Sequence, residues 1–584
     1  MARPRQLLSV GSPKASAYTA EGSRALSGAF PETAWRALLH WRSWAAPAAI
    51  VVLAAVLRLW GIRHDAQNPF YDAAVHSMDL SWHNFFFGAL DPSGALAIDK
   101  PPVDLWLQVT STKLLGFNRT ALALPEALGG IAAVALLYAA VARACGRMAG
   151  TIAALVLAVL PIAVLTARSD TMDSVMCALL VAALWCSVEA VRARRARYVL
   201  LSAALVGIAF NVKLTQALVP IPALALMWWA GSRPGRRIAL GAAAAAVFAF
   251  VAMAWAIVAS LTPLSARPYP IGSHTGSIFK AIFVFNGIER LTGASHEVVP
   301  YGATSPAGFG RLFGSGQPHY ATLIGWELAA ALVLLIAAGV LWWRARDPGG
   351  ALLTPGEREP STEAPGAREP GTTEPGATAP LQRAGRWLAV ALVVWILTAY
   401  LLFSFSGHMQ PRYLEAMSPA VAGALGIAAA YLLGRLAKRP RLRQAAIVLA
   451  GLALLAGPVR ASVQEIEARA GDANPSGTGN QYSAYLRAHR HGARYEVAAS
   501  NPLAVVGLIS QDGQPVLILR TIDGEMVSVE QLRRLVSQRA VRYVLISSPC
   551  TKGKHCASTI AWSVRNSVQV RPGLYRYFPP SQLR

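Results

Sequence analysis

Long apolar runs constrain the fold of this chain more than any other feature. A helix that crosses a hydrocarbon core needs about 17–25 largely apolar residues. Runs of this kind occur near 44–62, 120–141, 149–167, 174–191, 198–212, 216–231, 236–260, 320–343, 387–405, 414–434 and 442–459, about eleven in all. The pair between 198 and 231 also reads as a tight hairpin. Backbone groups in lipid must find partners within their own segment, so these runs are expected to be helices. Composition agrees: hydrophobic residues make up 54% of the chain and charged residues 14%, against about 25% charged in soluble domains. The expected fold class is a polytopic α-helical membrane protein.

The formal net charge is +24, which in a soluble chain would suggest nucleic acid. Here the basic residues sit in short loops between apolar runs, where they face anionic headgroups, so membrane lipid is the expected partner and nucleic acid is not. Arg143 and Arg147, then Arg192–Arg197, Arg233–Arg237, Arg344–Arg346 and Arg435–Arg443, fall on one side when the spans alternate. The positive-inside rule makes that side cytoplasmic. The expectation is a multi-pass plasma-membrane protein with its N-terminus inside and its C-terminus outside.

Residues 1–43 lack an apolar region followed by a small-residue cleavage site and read as a cytoplasmic disordered tail. Residues 44–459 form the expected transmembrane domain. It is interrupted at 347–386 by a Pro/Gly/Glu/Thr-rich stretch with REP at 358–360 and 368–370, which is expected to be a disordered cytoplasmic linker. From 460 to 584 the pattern changes to a small extracytoplasmic α/β domain. RYEVAAS (494–500) and VRYVLISS (541–548) read as buried strands, with amphipathic helices in NPLAVVGLISQ and SVEQLRRLVSQ. No GxGxxG or P-loop marks a nucleotide site. Cys145, Cys177 and Cys186 fall in or beside apolar runs and read as packing residues. Cys550 and Cys556 are close enough in sequence to form a disulfide outside the cytosol.

On this topology the 63–119 loop, Arg168–Asp173, Lys213, the 261–319 loop and Gly407–Tyr413 share the outer face. The stretch from Tyr71 to Gln108 concentrates carboxylates, histidines, a lysine and a Pro-Pro pair among aromatic residues. Ionisable groups at the edge of a bilayer are costly and usually functional. An outer-face enzyme has no nucleotide sugar at hand, so its donor arrives activated on a lipid, and a polyprenyl-phosphate sugar fits. Transfer needs a carboxylate to take the acceptor proton and cations or a divalent metal to offset the leaving phosphate.

The SWHNFFFG (81–88) and DKPP (99–102) elements resemble membrane glycosyltransferases of the protein-mannosyltransferase and aminoarabinose-transferase superfamily. The likeness is greatest to a bacterial mannosyltransferase branch with a C-terminal extracytoplasmic domain. It continues through LPEALGGIAAVALLY (124–138), RSDTMDSVM (168–176), FNVKLTQAL (210–218), LTPLSARPY (261–269), FNGIERLTG (285–293) and QPRYLEAMSPA (410–420). The resemblance implies a C-type glycosyltransferase fold. It also implies inverting transfer of a monosaccharide, mannose being one choice, to a hydroxyl of a protein, glycan or lipid acceptor.

Carried over by position, the resemblance makes Asp99 a catalytic or metal-orienting acid and Lys100 its phosphate-binding neighbour. The acid the superfamily carries shortly before Tyr71 is replaced by Gln67 and Asn68. Asp72, one helical turn on, is the next candidate, with Asp65 behind it. Asp170 and Asp173 share a face, where they hold a metal or position the acceptor, or else stabilise a helix N-terminus. Lys213 either contacts the lipid phosphate or snorkels to the headgroups. Arg412 and Tyr413 match the phosphate site, where a guanidinium suits bidentate recognition. His274 is a candidate metal ligand or an ordinary loop histidine, and His76 and His83 do not read as a zinc pair. The competing readings are a transporter or flippase for a lipid-linked glycan, against which no internal repeat is visible, and a catalytically idle relative that recruits partners.

Overall fold

The structure, a computed structural model, describes residues 32–293, 306–316, 319–344, 378–469, 478–521, 523–547 and 557–583. It divides into two compact units, Met1–Ala49 and Ile50–Arg584, and the site lies in the second. Among the described residues eight helices are long and apolar enough to cross a membrane: Trp44–His64, Arg119–Cys145, Asp173–Ala193, Ala196–Leu218, Pro234–Leu261, Ala321–Leu341, Gln382–Phe405 and Pro411–Arg435. Arg147–Val159 and Pro161–Ala167, bent by 60° at their junction, form a ninth if the pair is one span.

This is fewer than the sequence suggests, although every expected run is helical. The 216–231 run splits at Pro220 into a 3-10 turn, Leu214–Leu218, and a helix of only 11 residues, Ile221–Gly231. The 442–459 run lies within Pro440–Ala468, a helix with Pro458 inside it. Two boundaries also move. The helix Glu32–Leu59 begins inside the stretch read as a tail, and Thr378–Phe405 begins inside the stretch read as a linker. The rest of that linker, and Cys550 and Cys556, lie outside the described residues.

The bend at Pro161 has a local cause and a distant remedy. Proline has no N–H to offer the carbonyl four residues back, and a kink follows. An orphaned carbonyl in a membrane interior costs several kcal/mol. Arg58, fully buried, answers it: Nη2 donates to the Leu157 carbonyl at 3.2 Å and Nη1 to that of Ala158 at 3.0 Å. Ser462 Oγ donates to the Val159 carbonyl at 2.8 Å. Gly130 makes the room, since a Cβ there would lie 2.7 Å from Arg58 Nε. Beyond the bend the chain runs through Arg168–Asp173, and Arg168 Nε meets the Asp65 carboxylate at 2.7 Å.

The C-terminal region contains a five-stranded sheet in the order Leu517–Ile518, Ala498–Ala499, Tyr543–Leu545, Leu574–Tyr577, Ser567–Arg571. The first three strands are parallel and the last two are antiparallel to their neighbours. Both expected strands are therefore present and adjacent, in the buried register their continuous apolar runs imply. The expected helices follow as Val506–Asp512 and Val529–Ser537, the second closed by a Ser528–Gln531 capping box.

Candidate active site

Loops far apart in sequence meet at one end of the helical domain. Asn68 caps the short helix Pro69–Met78 by accepting from the Phe70 N–H, and Pro69 occupies its first turn. Leu96–Ala97 pairs in parallel with Tyr269–Pro270 through Tyr269 N to the Ala95 carbonyl, 2.9 Å, and Ile271 N to that of Ala97, 3.2 Å. This two-residue tether brings Asp99 and Lys100 against the 261–293 segment.

Asp99 is the centre of the polar cluster. Its carboxylate is 3.3 Å from Lys100 Nζ and 3.2 Å from Arg290 Nη2. Its carbonyl accepts from Asn286 Nδ2 at 2.6 Å, and Asn286 Oδ1 accepts from Arg290 Nε at 2.9 Å. Lys100 also donates to the Tyr71 hydroxyl at 2.9 Å, and Arg290 Nη1 to the Tyr413 hydroxyl at 3.2 Å. Burial alone would raise the Asp99 pKa, but the charges of Lys100 and Arg290 and their hydrogen bonds hold it below the usual carboxylate range. Lys100, lowered by burial, is lifted above its ordinary value by Asp99 and Tyr71. Asp99 and Lys100 are therefore a fully ionised pair.

Arg412 is buried, and its charge is felt at Tyr71, Lys213 and His408. Burial, with Arg290 and Arg412, pushes the His408 imidazole down to about 4, which reports a strongly cationic neighbourhood. Of the residues singled out from the sequence, Asp99, Lys100, Arg412 and Tyr413 thus gather in one place. Lys213 does not snorkel. It is buried, pairs with Asp173 and donates to the Thr171 carbonyl at 2.9 Å. Asp173 accordingly serves a cation inside the helical domain.

Asp170 accepts from the Asn68 N–H at 2.9 Å and adjoins Asp72. Burial, then the Asp170 charge and a carboxyl–carboxyl hydrogen bond, pushes Asp72 well above the usual carboxylate range. The contact ties Pro69–Met78 to the 168–173 segment. His274 is exposed, with Nδ1 3.3 Å from the Asp523 carbonyl of the C-terminal region. Among the described residues no group of three or more His, Cys, Asp or Glu side chains is arranged to hold a metal ion. The Asp99 oxygens face cations, and Asp72 and Asp170 face each other. This donor set does not fit the divalent metal anticipated from the sequence, and no step is derived through one.

A small open cleft lies beside Asp99 and Lys100. Phe87, Trp255, Ile278 and Ile282 give it apolar walls, and Arg267 adds a second cation. Arg267 is held by the Thr262 carbonyl at 3.1 Å and the Gly276 carbonyl at 2.7 Å, which leaves Nη1 a buried donor with no partner. Asp72 is not among the lining residues. Sequence reasoning passed over Arg290, Asn286 and Arg267, as well as the buried pair Asp104 and Glu126. The available signal was Asn286 and Arg290 at i, i+4 in FNGIERLTG, one helical face in an otherwise apolar stretch.

The fold is that of the C-type membrane glycosyltransferases. It is similar to ArnT from Cupriavidus metallidurans bound to undecaprenyl phosphate, with a TM-score of 0.52 and 14% identity over 85% of this chain and 88% of that one. It is also similar to the archaeal oligosaccharyltransferase AglB from Archaeoglobus fulgidus in complex with an inhibitory peptide and a dolichol-phosphate, with a TM-score of 0.51 and 11% identity over 86% and 69%. Residues 99–258 match the dolichyl-phosphate-mannose-protein mannosyltransferase family, and residues 482–566 match the family of C-terminal regions described as "Putative mannosyltransferase YkcB-like". "Putative mannosyltransferase YkcB" of Bacillus subtilis (strain 168) is 36% identical over 247 residues, 42% of this chain and 34% of that protein, so the match spans about a third of the relative's length. The family matches cover two separate parts of the chain, residues 99–258 and 482–566, and the likeness to the solved structures is one of fold.

Proposed function

We propose that this protein transfers a monosaccharide from a polyprenyl-phosphate carrier to an acceptor hydroxyl on the outer face of the plasma membrane, with inversion. The observation that carries this reading is Asp99, held by Lys100 and Arg290 beside a cleft lined by both apolar residues and the cations Lys100 and Arg267. Apolar walls suit an isoprenoid chain, and cations suit its phosphate. Two structural neighbours carry undecaprenyl phosphate and a dolichol-phosphate, which supports the same class of donor here. Mannose is the sugar favoured by the family matches.

In the proposed step the acceptor oxygen attacks the anomeric carbon opposite the phosphate and gives its proton to Asp99. The carbon–oxygen bond to the phosphate breaks, and polyprenyl phosphate leaves with both bonding electrons. Lys100, Arg267 and Arg412 offset its charge. Such preorganised cations act where charge develops, so they stabilise the transition state more than the bound donor. Asp72 and Asp170 hold the helix that carries Tyr71, while Asp173 and Lys213 form the paired floor beneath the cations.

The test is mass spectrometry of polyprenyl-phosphate sugars in membranes from wild-type, deletion and Asp99→Asn cells. One species accumulating equally in the deletion and the variant names the donor and supports transfer through Asp99. Unchanged donor pools together with an undecorated lipid-linked glycan on the inner leaflet would replace the transferase reading with a flippase.

A further inference from the structure

The C-terminal region contacts two elements that support the Asp99–Lys100 pair. On one side, Val506–Asp512 packs on Pro69–Met78, the helix that carries Tyr71. His76 Nδ1 is 3.1 Å from the Ser510 carbonyl, and its ring lies 4.5 Å from that of Phe117, tilted by 33°. The approach is close enough that a Cβ on Gly513, a residue at φ +61°, would lie 2.5 Å from His76 Nε2. On the other side, Asp523 Oδ2 accepts from the Gly272 N–H at 3.0 Å and the carboxylate also takes that of Ser273. Gly272 follows directly on the Tyr269–Ile271 stretch, whose N–H groups hold the strand leading into Asp99. Tyr71 and the Leu96–Ala97 strand support the Asp99–Lys100 pair alongside Arg290 and Asn286, and the C-terminal region contacts the elements behind both.

We propose that Asp523 and His76 are positioning residues through which the C-terminal α/β region holds the Tyr71 helix and the Leu96–Tyr269 tether in register around Asp99 and Lys100. The inference rests on the transferase reading above. Neither residue touches the reacting atoms. Asp523 acts through the Gly272 turn on the Leu96–Tyr269 tether, and His76 acts through its helix on the Tyr71–Lys100 hydrogen bond. A displacement of about 1 Å at a reacting centre costs about a hundredfold in rate, so a domain remote from the chemistry is able to control it.

The experiment compares the full-length wild-type chain, Asp523→Ala, Asp523→Glu, His76→Ala and, as a surface control, Arg534→Ala. Two readouts are taken: amide hydrogen exchange at Tyr269 and Ile271, and kcat and KM for a polyprenyl-phosphate hexose. Asp523→Ala is expected to lose protection at both amides and to drop kcat at least about tenfold. The unfolding temperature should stay at the control value, and Asp523→Glu should recover part of the rate. His76→Ala is expected to lower kcat while leaving Tyr269 and Ile271 protected, because it acts on the Tyr71 helix and not on the tether. Unchanged protection in Asp523→Ala overturns the proposal, as does lost protection with kcat within twofold of wild type. A wild-type chain that transfers nothing from any polyprenyl-phosphate sugar sinks the functional reading instead, and the exchange result then decides the brace by itself.

Discussion

The carboxylate of Asp99 lies 3.2 Å from the guanidinium of Arg290, a residue 191 positions further along the chain. That guanidinium also holds Asn286 and Tyr413, so one side chain joins its own segment and the Tyr413 segment to the acid. A fork of several N–H donors does this, and a lysine, with its compact charge on a flexible stem, does not.

Arg290→Lys is therefore expected to resemble Arg290→Ala more than wild type. Both should lower kcat/KM by about 10²–10³-fold, the scale seen when one preorganised electrostatic partner is removed. Steady-state transfer rates with a defined polyprenyl-phosphate hexose check this. A Lys variant within about threefold of wild type would show that charge alone is what the site uses.

The same pair sets a pH dependence. Asp99 is depressed in the folded protein, so its stabilising contribution is present above the unfolded carboxylate value and is lost as pH falls through the folded one. Activity through an ionised Asp99 should accordingly persist below the usual carboxylate range, and its acid limb should move upward in Arg290→Met. A pH–rate profile of kcat for the two proteins, taken over the range where both stay folded, reads the shift.

Asp104 behaves in the opposite sense. Burial pushes it up to about 6, and its Gln108 contact, 2.7 Å, does not offset that. A raised carboxyl favours the folded state below the unfolded value of about 4 and loses that contribution as pH rises through about 6. Asp104→Asn should remove this penalty, worth on the order of 3 kcal/mol, and so flatten the fall in stability between pH 4 and 6 while stabilising the protein at neutral pH. Unfolding midpoints in detergent across that window decide it. A parallel pH dependence in variant and wild type would contradict it.

Arg58 and Gly130 make a structural prediction that needs no assay of function. Arg58→Leu strands the Leu157 and Ala158 carbonyls at the bend, at about 1–3 kcal/mol for each buried acceptor left unpaired. Gly130→Val should be comparably damaging, because its side chain would meet Arg58. The double variant should cost less than the sum of the two. Chemical unfolding of the three proteins measures the coupling, and strict additivity would mean that the two residues do not share one strain.

The helices, the strands at 494–500 and 541–548, and the concentration of chemistry in the 71–108 loop were legible in the sequence. Each is written in local periodicity and local polarity, which a residue reports without reference to distant partners. The breaks at Pro161 and Pro220 were not legible in the same way, because the hydrophobicity of the runs they interrupt looks continuous.

What tertiary structure alone decided is which charges meet. Asp72 reads as a base by position, and burial beside Asp170 pushes its pKa well above the usual carboxylate range. Lys213 looked like a phosphate ligand, yet it pairs inward with Asp173. Arg290 drew no attention, yet it holds Asp99 in its ionised form. Burial and the distance to an opposite charge set the state of an ionisable group, and both come from segments tens to hundreds of residues away, so no local motif carries them.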